Sequence, residues 1–424
     1  MWRAHASLLV AAALAGCSYP ALPRLTGDDA SGSDVSDGGD QPPVDAVVDA
    51  GPDAAPLIEL TFGDVATLGR VSSVRVVDLD RDGHLDLVAA SREADVVAVY
   101  YGDGSGTFGP PTTYPTPPKP ASVAIADLDQ DSVLDLVVAI GGTPVDMDGT
   151  ITLVGSSISV LRGAGGRSFA GHVDYPIEPV RGPWWITTGD LDDDGHVDAV
   201  VSCYFHQFTM FATNTVAVLF GTGTGGFDLA SQRTIDGTTD GITGVAVADF
   251  DADGVDDVAV VYSGFHWGRT GVTTIFGDRQ RQLSRTMHTE SGYVSMGLTL
   301  GDLNLDGRPD VVTAERYTSS FTVYLDGPDG TLTPHIREIG AAAGHPAVAD
   351  FNRDGFPDVF VNGQIYLGDG TGITFAAPVA VPINVGWAGV TGPLSAAADL
   401  DEDGRLDLVG IENENLRIAL STGQ

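Results

Sequence analysis

Seven times along this chain the same nine-residue acidic loop returns, each copy followed by a short apolar run. The loop reads Asp, Leu or Phe, Asp or Asn, any residue, Asp, Gly or Ser, two variable residues and a final Asp. Copies begin at Asp78, Asp127, Asp190, Asp249, Asp302, Asp350 and Asp399, with spacings of 49, 63, 59, 53, 48 and 49 residues. A period near fifty suits a four-stranded blade of a β-propeller. The expected fold is all-β: a seven-bladed propeller of four-stranded blades.

The spacing also dictates chemistry. Alternate carboxylates in a tightly curling loop turn inward together and offer the hard oxygen ligands that Ca2+ requires. Positions one, three, five and nine supply side chains, position six needs a positive backbone angle, and position seven offers its carbonyl. The first copy assigns Asp78, Asp80, Asp82 and Asp86, with the His84 carbonyl and Gly83 at the turn. The second assigns Asp127, Asp129, Asp131, Asp135 and the Val133 carbonyl, but Ser132 replaces the glycine and must adopt a left-handed conformation at a cost of about 1 kcal/mol. The third uses Asp190, Asp192, Asp194, His196 and Asp198, and the fourth Asp249, Asp251, Asp253, Val255 and Asp257. Asn304 and Asn352 stand at position three of the fifth and sixth copies, beside Asp302, Asp306, Arg308 and Asp310, and beside Asp350, Asp354, Phe356 and Asp358. Each keeps an oxygen and removes one charge, so affinity is expected to fall there. The seventh copy is Asp399, Asp401, Asp403, Arg405 and Asp407.

These loops explain the composition. The 424 residues carry 58 acidic and 21 basic side chains, a formal net charge of -37, yet mean hydropathy is +0.09. Four side-chain ligands in each of seven loops, two of them Asn, account for 26 Asp, nearly half of all acid. Up to seven Ca2+ ions, mainly structural, are the cofactors expected. So acidic a surface repels phosphates and excludes nucleic acid as a partner. An EF-hand is excluded as well, since it needs a bidentate acid at position twelve and flanking helices, whereas Ala89 stands there between strand-like runs. A dockerin would show two close copies rather than seven distant ones.

Within each unit the order is strand, acidic loop, strand, short connection, strand, Gly-rich hairpin, strand. The first runs from Ser73 through the loop to Asp86–Ala90, then Val96–Tyr101, then Gly102-Asp103-Gly104-Ser105-Gly106-Thr107-Phe108-Gly109-Pro110 into Tyr114. Phe220 to Phe227 and Leu367 to Gly372 repeat the hairpin, while Ile275 to Gln282 has lost most of its glycines. Two hairpins satisfy G-x-G-x-x-G, but no helix follows to hold a pyrophosphate, so their glycines make turns. This pattern, from residue 57 to 424, resembles the FG-GAP or VCBS repeats of bacterial surface proteins and integrin alpha-chain propellers.

After Asp407 there is room for only two more strands, Leu408–Ile411 and Leu416–Leu420, so the last blade is one strand short. Leu60 to Leu68 resembles the fourth strand of the first unit and is expected to close the ring, because an open propeller would leave two unpaired edges.

Residues 1–16 read as a signal peptide, and Leu14-Ala15-Gly16-Cys17 resembles a bacterial lipobox. That resemblance implies lipidation of Cys17, anchoring without a spanning segment, and, with Ser18 following, the outer membrane or cell surface. Residues 17–56 form an acidic tether rich in Pro, Gly, Ser and Asp, with eight Asp and no Lys or Arg between Thr26 and Pro56. The remaining cysteine, Cys203, lies in an apolar run and reads as a buried small hydrophobe. The chain is expected to be monomeric.

By the resemblance, the acidic loops occupy one face of the ring. The connections at the other face gather Trp184, Trp185, Tyr293 and Trp387, and Tyr204, Phe205, His206, His266, Trp267 and Tyr317. Aromatics with polar neighbours suit a protein or glycan ligand, and equally a channel plug. The expected function is a cell-surface binding or adhesion module. The competing class is a lyase-like polysaccharide-active enzyme. There is no nucleophile elbow and no H-E-x-x-H, and His172, His206, His266, His288, His335 and His345 are scattered. No catalytic residue is assigned.

Overall fold

The computed structural model describes residues 60–65, 69–147, 150–177, 182–203, 215–236, 242–263, 270–291, 295–315, 319–339, 344–381, 395–412 and 415–421. Among them there is no helix, and seven four-stranded antiparallel sheets form the blades of a propeller. Blade 1 consists of Val71–Val77, Asp86–Ser91, Val96–Tyr100 and Thr112–Pro115, in that spatial order from the axis outward. Its innermost strand is buried almost throughout, as Val, Ser and Arg side chains leave the pleat toward both a neighbouring blade and the axis.

Ring closure follows the pattern read from the chain. Leu60–Asp64 pairs antiparallel with Asn415–Ser421, in the register Leu60 to Ser421 through Asp64 to Arg417, and completes the blade begun by Ser395–Ala398 and Asp407–Glu412. The first and last strands of the propeller thus share one sheet, which leaves the ring no open end.

The 63-residue spacing between the second and third loops also has a structural cause. Between its second strand, Asp135–Ile140, and its third, Ser157–Leu161, blade 2 carries an extra hairpin of Thr143–Met147 and Thr150–Val154 that pairs only with itself. Blade 2 also carries a short ribbon, Gly163–Gly165 with Ser168–Phe169.

Among the described residues, buried apolar side chains form several clusters rather than one core. Apolar side chains gather in clusters that each bridge adjacent blades: Val88, Val99, Val123 and Ile140 between blades 1 and 2, Trp185, Val218, Val245 and Val260 between blades 3 and 4, and Val312, Phe321, Val359 and Tyr366 between blades 5 and 6. Each of these residues is no more than 2 % exposed, so blade faces meet as dry layers. Cys203 lies in the cluster between blades 2 and 3, buried as expected, and burial pushes its thiol pKa well up.

Candidate metal centres and the central channel

Every acidic loop uses the same backbone device. Position six is left-handed in all seven, with φ of 95° at Gly83 and 70° at Ser132, so the serine of the second copy takes the strained conformation that its place requires. Position four is left-handed too, at Arg81, Gln130, Asp193, Ala252, Leu305, Arg353 and Glu402, with φ between 53° and 63°. No glycine marks that position, so no residue type there signals the turn. Two left-handed residues flanking position five curl the loop tightly enough for Asp side chains to cap their own backbone: in blade 1, Gly83 N–H donates to Asp78 Oδ2 at 3.0 Å and His84 N–H to Asp82 Oδ1 at 3.0 Å.

Position nine has a structural role that spacing did not disclose. Its carboxylate accepts two backbone N–H groups, one from loop position two and one from the end of the blade's third strand. Asp198, for example, accepts from Leu191 at 2.9 Å and from Gly221 at 2.7 Å. All seven blades repeat this knot, with Asp86, Asp135, Asp257, Asp310, Asp358 and Asp407 in the same place. Glycine is needed opposite it in five blades. A Cβ on Gly102, Gly163, Gly221, Gly277 or Gly368 would stand 2.1 to 2.5 Å from the carbonyl of loop position eight. Burial pushes the position-nine carboxyls up, Asp86 to about 6 and Asp198 to about 8, against the lowering effect of the two N–H donors.

In five of the seven loops the geometry brings three of the four expected side-chain ligands together. Single oxygens of Asp78, Asp80 and Asp86 lie within 4.8 Å of one another, as do those of Asp127, Asp129 and Asp135, of Asp190, Asp192 and Asp194, of Asp249, Asp251 and Asp257, and of Asp399, Asp401 and Asp407. The fifth and sixth loops have Asn304 and Asn352 at position three, and each amide donates to the Asp at position five, Asp306 at 3.0 Å and Asp354 at 2.8 Å. Four loop oxygens, Asp78 Oδ1, Asp129 Oδ1, Asp251 Oδ1 and Asp399 Oδ1, are buried with no hydrogen-bond partner. A buried carboxylate oxygen without a donor is costly, and a cation among the converging oxygens satisfies it. All-oxygen, multiply anionic donor sets of this kind fit a hard divalent ion such as Ca2+.

The loops also contact one another around the ring. His84 of the first loop meets Glu402 at position four of the seventh, which raises the imidazole pKa, and Gln130 of the second donates to the Gly195 carbonyl of the third at 2.6 Å. Hairpin amides reach back to the preceding loop, as Gly106 N–H donates to the Leu400 carbonyl at 3.0 Å and Gly225 N–H to that of Leu128 at 3.2 Å. In the glycine-poor hairpin of blade 4, Asp278 does the work of the missing glycines by accepting from the amides of Gln280, Gln282 and Leu283, while Arg281 and Leu283 take positive φ.

At the axis, Trp185 corrects an expectation. It does not face outward toward a ligand but is 1 % exposed, packed between blades 3 and 4 and stacked on His345 of blade 6. Trp alternates with Trp184 along one strand, so only one of the pair can point outward; Trp184 is half-buried with the Arg92 guanidinium 5.7 Å from its ring centroid. Arg75 of blade 1 also enters the axis, donating to the Ile186 carbonyl at 3.3 Å. Tyr204, Phe205, His206, His266, Trp267, Tyr293, Tyr317 and Trp387 lie outside the described residues, as does Cys17.

Comparison with known proteins agrees with this architecture. Residues 78–138, 208–260 and 289–361 match the FG-GAP-like repeat. Phosphatidylinositol-glycan-specific phospholipase D from Bos taurus is 31% identical over 168 residues, 33% of this chain and 19% of that protein. The Mus musculus counterpart is 31% identical over 186 residues, 39% of this chain and 22% of that protein. The chain thus spans about a fifth of the length of these curated relatives. Among solved structures, BBS1N in complex with ARL6DN superposes with a TM-score of 0.56 at 14% identity, covering 87% of this chain and 98% of that one, a likeness of fold. Repeat, blade and ring together make this chain a seven-bladed β-propeller that carries FG-GAP-like repeats.

Proposed function

We propose that this chain is a Ca2+-stabilised propeller, lipid-anchored through Cys17 at the bacterial cell envelope, that serves as a binding or adhesion module for a protein or glycan. The observation that carries the metal part is the set of buried, unpartnered carboxylate oxygens in four of the acidic loops. Their burial costs free energy in the absence of a cation, and the repeating geometry gives every loop the same use for one. Because Arg75, Trp185 and His345 fill the axis, recognition is assigned to the connections around the channel mouth opposite the loops, where Trp184, Trp267, Tyr293, Tyr317 and Trp387 fall in the repeat.

Binding of the purified protein to a glycan array tests the recognition part, with Trp267→Ala and Trp387→Ala as variants. Glycan signals that both variants abolish while melting is unchanged support it; signals indifferent to both overturn the assigned face. The alternative, a polysaccharide-active enzyme on the same scaffold, would appear as depolymerisation of the bound glycan.

A further inference from the structure

Two of the seven loops carry an arginine that arrives from the next blade. In loop 1, Arg167 of the blade 2 hairpin contacts Asp80 through Nε and donates from Nη2 to Asp82 at 2.7 Å. In loop 3, Arg281 of the blade 4 hairpin contacts Asp192 through Nε and donates from Nη2 to Asp194 at 2.7 Å. Each fork therefore bridges positions three and five of the preceding blade's loop. These are two of the four side chains that the loop offers a metal.

The parallel extends to the supports. Arg167 lies 4.5 Å from the ring centroid of Tyr101 and Arg281 4.7 Å from that of Phe220, and these aromatics precede the equivalent glycines Gly102 and Gly221. Both arginines have positive φ, 63° and 59°. Both have their own carbonyl held by the outermost strand of the preceding blade: Tyr114 OH donates to Arg167 O at 2.8 Å, and Arg233 Nε to Arg281 O at 2.7 Å. Elsewhere among the described residues, arginines touch one loop carboxylate at a time: Arg162 meets Asp129, Arg285 Asp251, Arg308 Asp306 and Arg405 Asp403 within a blade, while Arg279 crosses from blade 4 to Asp193, at position four of loop 3 and outside the ligand positions.

We infer that Arg167 and Arg281 are affinity-setting residues for a divalent cation at loops 1 and 3, competing with the metal for positions three and five while clamping each loop to the next blade. The inference rests on the metal reading above. A guanidinium and a divalent ion that share two carboxylates repel each other and divide the same negative charge, so the clamp weakens metal binding at these loops relative to an unclamped one. With metal removed, the same fork neutralises the loop carboxylates and holds blade 1 to blade 2 and blade 3 to blade 4. Loops 1 and 3 thus empty before an unclamped loop with the same four Asp ligands as the cation is depleted, and they do so without opening their blade interfaces.

The test is calorimetric titration of the chelator-treated protein with CaCl2, with thermal melts in excess chelator and in excess Ca2+, for the wild type, Arg167→Gln, Arg281→Gln and Arg167→Lys. Each Gln variant is expected to tighten one site roughly threefold, the scale of a partly exposed ion pair, to lower the melting temperature in chelator and to leave it unchanged or raised in Ca2+. Arg167→Lys, which keeps the charge without the fork, is expected to fall between. Absence of any Ca2+ binding by the wild type overturns the metal reading and this one with it. Binding by the wild type with unchanged or weaker affinity in the Gln variants overturns the clamp alone, as does an equal loss of melting temperature in chelator and in Ca2+.

Discussion

The Trp185 indole lies over the His345 imidazole with ring centroids 5.2 Å apart and 21° between their planes, a stack of residues from blades 3 and 6 that closes the channel of the propeller from opposite sides. Gly297 of blade 5 makes room for it, since a Cβ there would stand 2.1 Å from His345 Nδ1. Truncating Trp185 to Ala leaves a hole that four blades cannot fill, at a cost of about 3–5 kcal/mol, measurable by denaturant unfolding at fixed Ca2+.

The same stack makes the fold acid-sensitive. Burial pushes the His345 pKa down to about 4, below the value of about 6.5 it has in the unfolded chain. Its contribution is therefore complete above pH 6.5 and is lost as pH falls through that window toward 4, amounting to roughly 3 kcal/mol. Unfolding free energies of His345→Gln and the wild type should converge as the pH is lowered from 7 to 4; a constant difference over that range would contradict this.

Glu315 acts in the opposite sense. It is fully buried, Oε1 accepts from Thr313 and Thr322 hydroxyls at 2.8 Å each, and burial pushes its carboxyl up to about 7. A folded value above the unfolded one contributes stability below pH 4.5 that is lost as pH rises through 7. Glu315→Gln, which keeps both acceptor contacts, is expected to be more stable than the wild type at pH 8 by up to roughly 3 kcal/mol and not at pH 4. Equal effects at both values would rule out the titration.

Removing the closing strand should destabilise the whole ring. Deletion of residues 58–68 strips the five-residue pairing between Leu60–Asp64 and Asn415–Ser421, and exposes the edge of the last blade. A markedly lower, less cooperative melt is expected, and a transition indistinguishable from the full chain would refute ring closure by this strand.

Chelation tests the loops together. On the proposed metal reading, seven filled sites of extracellular grade would contribute about 1 kcal/mol each by mass action at millimolar Ca2+, so excess chelator should lower the melting temperature substantially. Ser132→Gly is expected to raise stability by about 1 kcal/mol with or without metal, because it relieves the left-handed serine. A melt insensitive to chelator would refute the metal assignment.

Much of this was legible in the chain because a repeat compares itself with itself. Asp78 and its six counterparts marked the loops, and the likeness of Leu60–Leu68 to the strand ending at Tyr114 located the closure. What could not be read were relations between residues distant in sequence. Position four bends left-handed with Arg, Gln, Asp, Ala, Leu or Glu in place, since the loop's own hydrogen bonds impose the turn on whatever side chain stands there. Asp198 looked like a ligand only, because its second bond goes to Gly221 on another strand. Trp184 and Trp185 looked alike until the pleat chose which would enter the axis.

The hairpin of Thr143–Val154 in blade 2 hydrogen-bonds to itself alone and lengthens a connection at the end of the blade away from the acidic loops, without shifting the register on either side. The ring therefore has a socket there: a guest segment can be accommodated whose two ends stand as close as adjacent strands, so recognition can be acquired without rebuilding the wheel.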